Sequence, residues 1–472
     1  MIKKYLPLLL FFISSITLYA QHNDVLQKPA VDERVELLSI VFRLAGAGEY
    51  SDEDFKLYTN AINTHFEPYK EHEIMSFIKK LRYDKGTGYD AVMKMAIHIG
   101  PAPQFEPLVP FTDDVPEQRW GKENAEQFLV LLRKFYEDAD CESFFVKNRE
   151  LYGQLAQHFL PVYDMLDLDW YLTFYGVMPK EKFKIVIGAG NGGGNYGPDI
   201  VYPDGTREVY AIMGTWSTDS SGMAAYNTAD YFPTLLHEFN HSFINHLNDK
   251  YRKELQKPGR AIFKHVEEQM YDQAYGNWLM VLNEALVRAA VIKYMKDHNF
   301  EKQAIADETL EQLNRGFIWI EELVALLEAY SYKRGTYPTL ESYMPVITDY
   351  YKTRGKDFRQ FKRGFDTRKP RVTHIAEFNN GNRRVDPTLT TITIHFDRPL
   401  QGKGYSVHYG EKGEECYPEV KGITYSPDRK AVNFDVRLQP EKEYQFVLVG
   451  RRFKSEDGIG IDDYVVDFKT GK

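Results

Sequence analysis

The sequence predicts a multidomain α+β chain: a mainly helical body carrying a small β-sheet, followed by an all-β sandwich. Three observations lead there. Apolar residues recur at helical spacing through most of the first 365 positions; two β-rich runs interrupt them between 182 and 216; from 371 onward the pattern alternates with a period of two. At 472 residues the chain also exceeds the usual size of one domain.

In chain order, "MIKKYLPLLLFFISSITLYAQ" comes first, with Lys3 and Lys4 ahead of an apolar stretch and Ala20 before a plausible cut. Residues 1–20 read as a signal peptide, too short for a comfortable membrane span, so the chain is expected to be exported, periplasmic or extracellular. No later stretch is long and apolar enough to make an integral membrane segment. Residues 21–180 form a helical region: "VDERVELLSIVFRLAG", "EHEIMSFIKKLRYDKG" and "YDAVMKMAIHIGP" each close on Gly or Gly-Pro. Residues 181–365 form a second region. It opens with the strands "KFKIVIG" and "REVYAIMGTW" and continues in helices from about Asp230, with Pro233 in the first turn. Residues 371–472 carry "TTITIHF", "AVNFDVRL", "EYQFVLVG" and similar runs, separated by turns, as a small β-sandwich does.

Composition narrows the function. A formal charge of −9 and no long basic run argue against nucleic acid. Two cysteines, Cys141 and Cys416, make neither a disulfide framework nor a metal-ligand spacing and read as free thiols. The run "GAGNGGGNYGPDIVYPDGT" matches G-x-G-x-x-G at Gly188, Gly190 and Gly193, but Pro198, Pro203 and Gly205 interrupt the residues after it. A dinucleotide site needs a helix N-terminus there, so the run reads as a loop bordering a cleft.

The chemistry concentrates in "TLLHEFNHSF". His237 and His241 lie one turn apart on one helix face, the separation at which two imidazoles reach one tetrahedral zinc. Glu238 then sits beside the remaining coordination position as a general base. Zinc needs a third protein ligand. An extended metzincin motif is excluded, because Ile244 and Leu247 stand where it requires Gly and His. His246 falls on the far side of the helix and Asp249 at its end. Glu284, in the apolar run "NWLMVLNEALVRAAVIKYM", is the favoured ligand, since a carboxylate in such a helix is paired or ligating. The competing reading is an i, i+4 salt bridge from Glu284 to Arg288. Glu267 and Glu268 are in reserve.

"HEFNH" followed by "NEALVRA" resembles the gluzincin superfamily of zinc metallopeptidases. The resemblance implies a zincin-like catalytic domain with His237, His241 and Glu284 as zinc ligands and Glu238 as base. Two departures stand out: the long gap from His241 to Glu284, expected to loop out over 250–275, and Arg288 where many members carry Asp. "ELLSIVFRLAG" is also similar to a family of secreted bacterial proteins bearing this motif, and the C-terminal strands resemble a bacterial Ig-like module.

The expectation is a secreted zinc metallopeptidase acting on peptide or protein substrates. Tyr337, among Tyr330, Tyr332 and Tyr343, is the expected oxyanion donor, and "REVYAIMG" the sheet edge along which a peptide pairs. The alternatives are a binding protein with a structural or degenerate zinc site, acting through its Ig-like domain, and a zinc hydrolase of non-peptide amides or esters.

Overall fold

The computed structural model describes residues 26–177 and 181–472. The expected signal peptide at 1–20 lies outside the described residues. The chain is α+β, about half helical with small sheets, and divides into two compact units. One comprises the described residues up to Leu247 with Arg334–Ser342; the other comprises Asn248–Lys333 and Tyr343–Lys472.

The first unit is built on a four-stranded sheet of order β1-β2-β4-β3, with β1 at Leu26–Val31, β2 at Lys182–Gly188, β3 at Asp199–Val201 and β4 at Arg207–Gly214. β1, β2 and β4 are parallel, and β3 is antiparallel to β4. Sequence periodicity places residues 26–31 within a helical region; they form the edge strand β1 instead. Pro29 is compatible with that place, since an edge strand can spare one backbone N–H.

Among the described residues between β1 and β2 lie the α-helices α1 (Glu33–Leu44), α2 (Lys56–Phe66), α3 (Glu73–Lys85), α4 (Asp90–His98), α5 (Lys122–Asp138), α6 (Cys141–Tyr163) and α7 (Leu168–Tyr175). Asp32 caps α1 by accepting from the Arg34 amide, and Gly86 ends α3 in the left-handed conformation. Cys141 is buried at the start of α6, and both cysteines are free.

Helix α8 (Thr228–Lys250) comes after the sheet. It begins two residues earlier than the sequence indicates, so Pro233 lies inside it rather than in its first turn. Its apolar side is held by aromatic stacking. Phe239 lies on Phe183 of β2 with centroids 4.5 Å apart, and Phe243 on Tyr175 of α7 at 4.4 Å. Tyr231, near the N-terminus, stacks on Trp216 at 3.6 Å and accepts a hydrogen bond from its amide.

In the second unit, residues 250–275 do not loop out. They form α9 (Arg252–Phe263) and α10 (Glu267–Tyr271). Helix α11 (Trp278–Asp297) is buried on almost every side, and α12 (Lys302–Asn314), α13 (Ile320–Ser331) and α14 (Leu340–Asp366) complete the helical part. Among the described residues, no helix is long and apolar enough to cross a membrane.

Residues 372–469 form two antiparallel sheets, β5-β6-β9-β8 and β11-β10-β7, where β5 to β11 span Val372–Ile375, Thr391–Phe396, Val407–Tyr409, Glu419–Tyr425, Ala431–Arg437, Glu443–Leu448 and Tyr464–Lys469. Inward residues of both sheets, among them Ile392, Ile394, Val432, Phe434, Phe446, Leu448 and Phe468, share one apolar core. Phe434 and Phe446 meet across it at 5.4 Å. Truncating Phe446 to alanine therefore removes contacts on both sheets, with an expected loss of about 3–5 kcal/mol. Urea denaturation followed by circular dichroism reads that loss, and a change below about 1 kcal/mol would contradict the shared core.

Candidate metal centre

The burial pattern of α8 explains why its polar residues can stand where they do. Leu235, Leu236, Phe239, Phe243, Ile244 and Leu247 are buried, while His237, Glu238 and His241 are half-buried. The two imidazoles are perpendicular, with centroids 4.7 Å apart, and their Nε2 atoms are 3.1 Å apart. Two Zn–N bonds of about 2.05 Å at a tetrahedral angle place their nitrogens about 3.3 Å apart. The pair thus presents donors at the separation zinc requires.

Asn245 bears on the tautomer of His241. Its Nδ1 lies 3.1 Å from Asn245 Oδ1. A carbonyl oxygen only accepts, so this contact favours the tautomer with the proton on Nδ1 and the lone pair on Nε2. Asn245, one turn beyond His241, escapes the sequence reading; its signal is the i, i+4 spacing itself.

Glu238 packs against Gly197. A Cβ at position 197 would stand 2.3 Å from the Glu238 Oε2 atom, so a side chain there would displace the carboxylate. Gly197 belongs to the stretch that covers β4. Tyr196 exchanges backbone hydrogen bonds with Ile212, and Pro198 accepts one from Tyr210. Together with β3 this makes β4 an interior strand, so the sheet edge expected at "REVYAIMG" lies instead at residues 195–201. Antiparallel alternation turns the backbone groups of Gly197 away from β4.

Glu284 sits on α11, 8% exposed, and Arg288 is equally buried. The salt-bridge reading of this carboxylate is met. Its Oε2 accepts a hydrogen bond from Arg288 at 2.9 Å. Glu284 belongs to the second unit, and His237 and His241 to the first. Arg288 donates in addition to Gln312 Oε1 and Tyr275 Oη, each at 2.8 Å. Burial works against the guanidinium charge, but Glu284 and Tyr275 outweigh it and raise its pKa.

The other candidates separate cleanly. His246, Asp249, Glu267 and Glu268 are exposed, as their positions on the sequence imply. Tyr330 and Tyr343 are fully buried and in ring contact at 5.1 Å, which spends them on packing. Tyr332 is 90% exposed, and Tyr337 is half-buried.

Removing the arginine while keeping the carboxylate tests the buried pair. Arg288→Met leaves the Glu284 charge short of its partner in an apolar helix, with an expected cost of about 3–5 kcal/mol in urea denaturation. Stability within about 1 kcal/mol of wild type would show that other groups carry the Glu284 charge.

No curated protein matches the chain. Among solved structures, the S-layer protein rSbsC matches at 12% identity over 85% of this chain and 46% of its own, with a TM-score of 0.17. The N-terminal part of the bacterial S-layer protein SbsC matches at 12% identity over 85% of this chain and 79% of its own, again with a TM-score of 0.17. The chain thus spans about half, 46%, of the first of these structures. Scores so low carry no likeness of fold. The family model for a domain of unknown function, DUF4932, matches residues 28–349, more than half of the sequence, and the chain belongs to that family.

Proposed function

We propose that this protein is an exported zinc metallopeptidase of gluzincin type, with His237, His241 and Glu284 holding zinc and Glu238 acting as general base. The observation that carries the reading is the His237–His241 pair, with Nε2 atoms 3.1 Å apart and Asn245 Oδ1 beside the Nδ1 of His241. Glu284 is the proposed third ligand, giving the two imidazoles and one carboxylate that a catalytic zinc takes. Arg288, standing where many gluzincins carry an acid, steadies the carboxylate ligand through its Oε2 atom.

Zinc, when bound, supplies Lewis acidity to the scissile carbonyl and to water. The chain's own residues do the rest. Glu238 takes a proton from the attacking water and returns it to the departing amine. The backbone of Gly197, facing away from β4 beside that carboxylate, offers an extended peptide a pairing edge. This favours a peptide over a small ester or amide. Tyr337 remains the proposed donor to the oxyanion. Residues 181–365 would then be a zincin-like catalytic domain, and the two-sheet region an Ig-like module. Export rests on Lys3, Lys4 and the apolar residues after them.

Mature protein (residues 21–472) is expected to hold about one zinc per chain by elemental analysis and to cleave a casein or peptide library. Glu238→Gln should keep the zinc and lower kcat about 10²–10⁴-fold. Equal proteolysis by the variant would sink the peptidase reading. Asn245→Ala frees the His241 ring and should weaken zinc about 10–100-fold in chelator competition; unchanged affinity would remove Asn245 from the site.

A further inference from the structure

Helix α1 buries a carboxylate that the peptidase chemistry does not use. Glu36 is fully buried. Its Oε1 accepts the amide of Ala189 at 2.7 Å and its Oε2 the amide of Gly190 at 3.1 Å. One turn on, Ser39 donates to the Oδ1 of Asn191, itself fully buried. Both contacts hold the start of the glycine-rich run that leaves β2. The run has little room to shift. A Cβ at Gly190 would lie 3.3 Å from Glu36 Oε2, and Gly214 has the carbonyl oxygens of Gly192 and Gly194 where its Cβ would be, at 2.2 and 2.7 Å. Gly194 donates back to the Asn191 carbonyl, Asn195 Oδ1 accepts from the Gly214 amide, and Tyr196 bridges to Ile212. Gly197 comes directly after, against Glu238.

We propose that Glu36 is a positioning residue for Glu238: its ionised carboxylate anchors the glycine-rich run, and the run fixes Gly197 against the base. The proposal rests on the peptidase reading for the role of Glu238, and on the structure alone for the anchor. Ionised, Glu36 offers a charged acceptor to each amide; a proton on either oxygen removes that charge and weakens both contacts. The anchor is therefore sensitive to pH. Burial raises the Glu36 carboxyl to about 7, against the hydrogen bonds from Tyr58, Ala189 and Gly190 that favour its charge. The groups facing it are Tyr58 on α2, which also hydrogen-bonds Tyr152 on α6, together with Tyr226 and the helix cap Asp32. All three tyrosines are pushed above their ordinary range, mainly by burial. They stay neutral where Glu36 titrates.

The test compares wild type with Glu36→Gln by hydrogen exchange and by peptide hydrolysis from pH 5.5 to 8.5 (a range of about three units centred on neutrality). In the variant, amides of residues 189–197 should exchange about tenfold faster at pH 8. The kcat should fall about tenfold or more with KM within about twofold, and the wild-type rise through neutrality should flatten. Unchanged exchange overturns the anchor. Faster exchange with wild-type kcat and pH profile overturns the positioning role. An inactive wild type that still shows the exchange difference would fail the peptidase reading and with it the role assigned to Glu238, while leaving the anchor standing. If Glu36→Gln does not fold, Ser39→Ala loosens Asn191 more mildly. It should show the same two signs at smaller amplitude, and neither sign in a folded Ser39→Ala overturns the proposal.

Discussion

The stack of Phe239 on Phe183, with ring centroids 4.5 Å apart, fixes the rotation of α8 about its own axis. Phe243 repeats the contact one turn later, against Tyr175 and at longer range against Phe183. A helix advances about 100° per residue, so residues two positions before these phenylalanines lie about 200° round from them. Those residues are His237 and His241. Glu238 falls between the two directions, which is how it meets Gly197 of the edge segment while the imidazoles point elsewhere. Any other rotation would bury the histidines in the sheet or move Glu238 off Gly197.

Glu284 and Glu36 are buried where burial is costly, and each is compensated differently. Glu284 has a full opposite charge beside it in Arg288, which is held in turn by Gln312 and Tyr275. Glu36 has backbone amides and Tyr58, and its carboxyl titrates near neutrality. The difference is physical. A buried guanidinium offers a fixed charge and several donors, whereas amides offer partial charges that recover less of the lost hydration. Arg288 therefore answers the question raised by the residue after "NEALV": a base in that place supports the carboxylate itself instead of orienting an imidazole.

Much of the fold was legible in the sequence. The α+β class, the strands at 182–188 and 207–214, the helix carrying "HEFNH" and the strand-rich C-terminal region all come from periodicity and turn residues. The misreadings share one cause. Leu26–Val31 carries no alternating pattern strong enough to mark a strand, and it becomes one because β2 is there to pair with. Residues 250–275 form helices that motif spacing alone could not anticipate. β4 reads as an edge until the 195–201 segment is seen to cover it.

The site divides in the same way. By itself the sequence determined the pair His237 and His241, the neighbouring Glu238 and the isolated Glu284, because helical spacing and the scarcity of charge in apolar helices are local properties. Asn245 and Glu36 were open to the same reasoning: Asn245 is one turn past His241, and Glu36 is a lone acid in the run "VELLSIVF". Only tertiary structure decided that Glu36 grips the amides of a loop about 150 positions away, that Gly197 is the residue against the base, and which strand edge lies beside it. Those facts depend on chain segments far apart in sequence meeting at atomic distance, and no local periodicity encodes such a meeting.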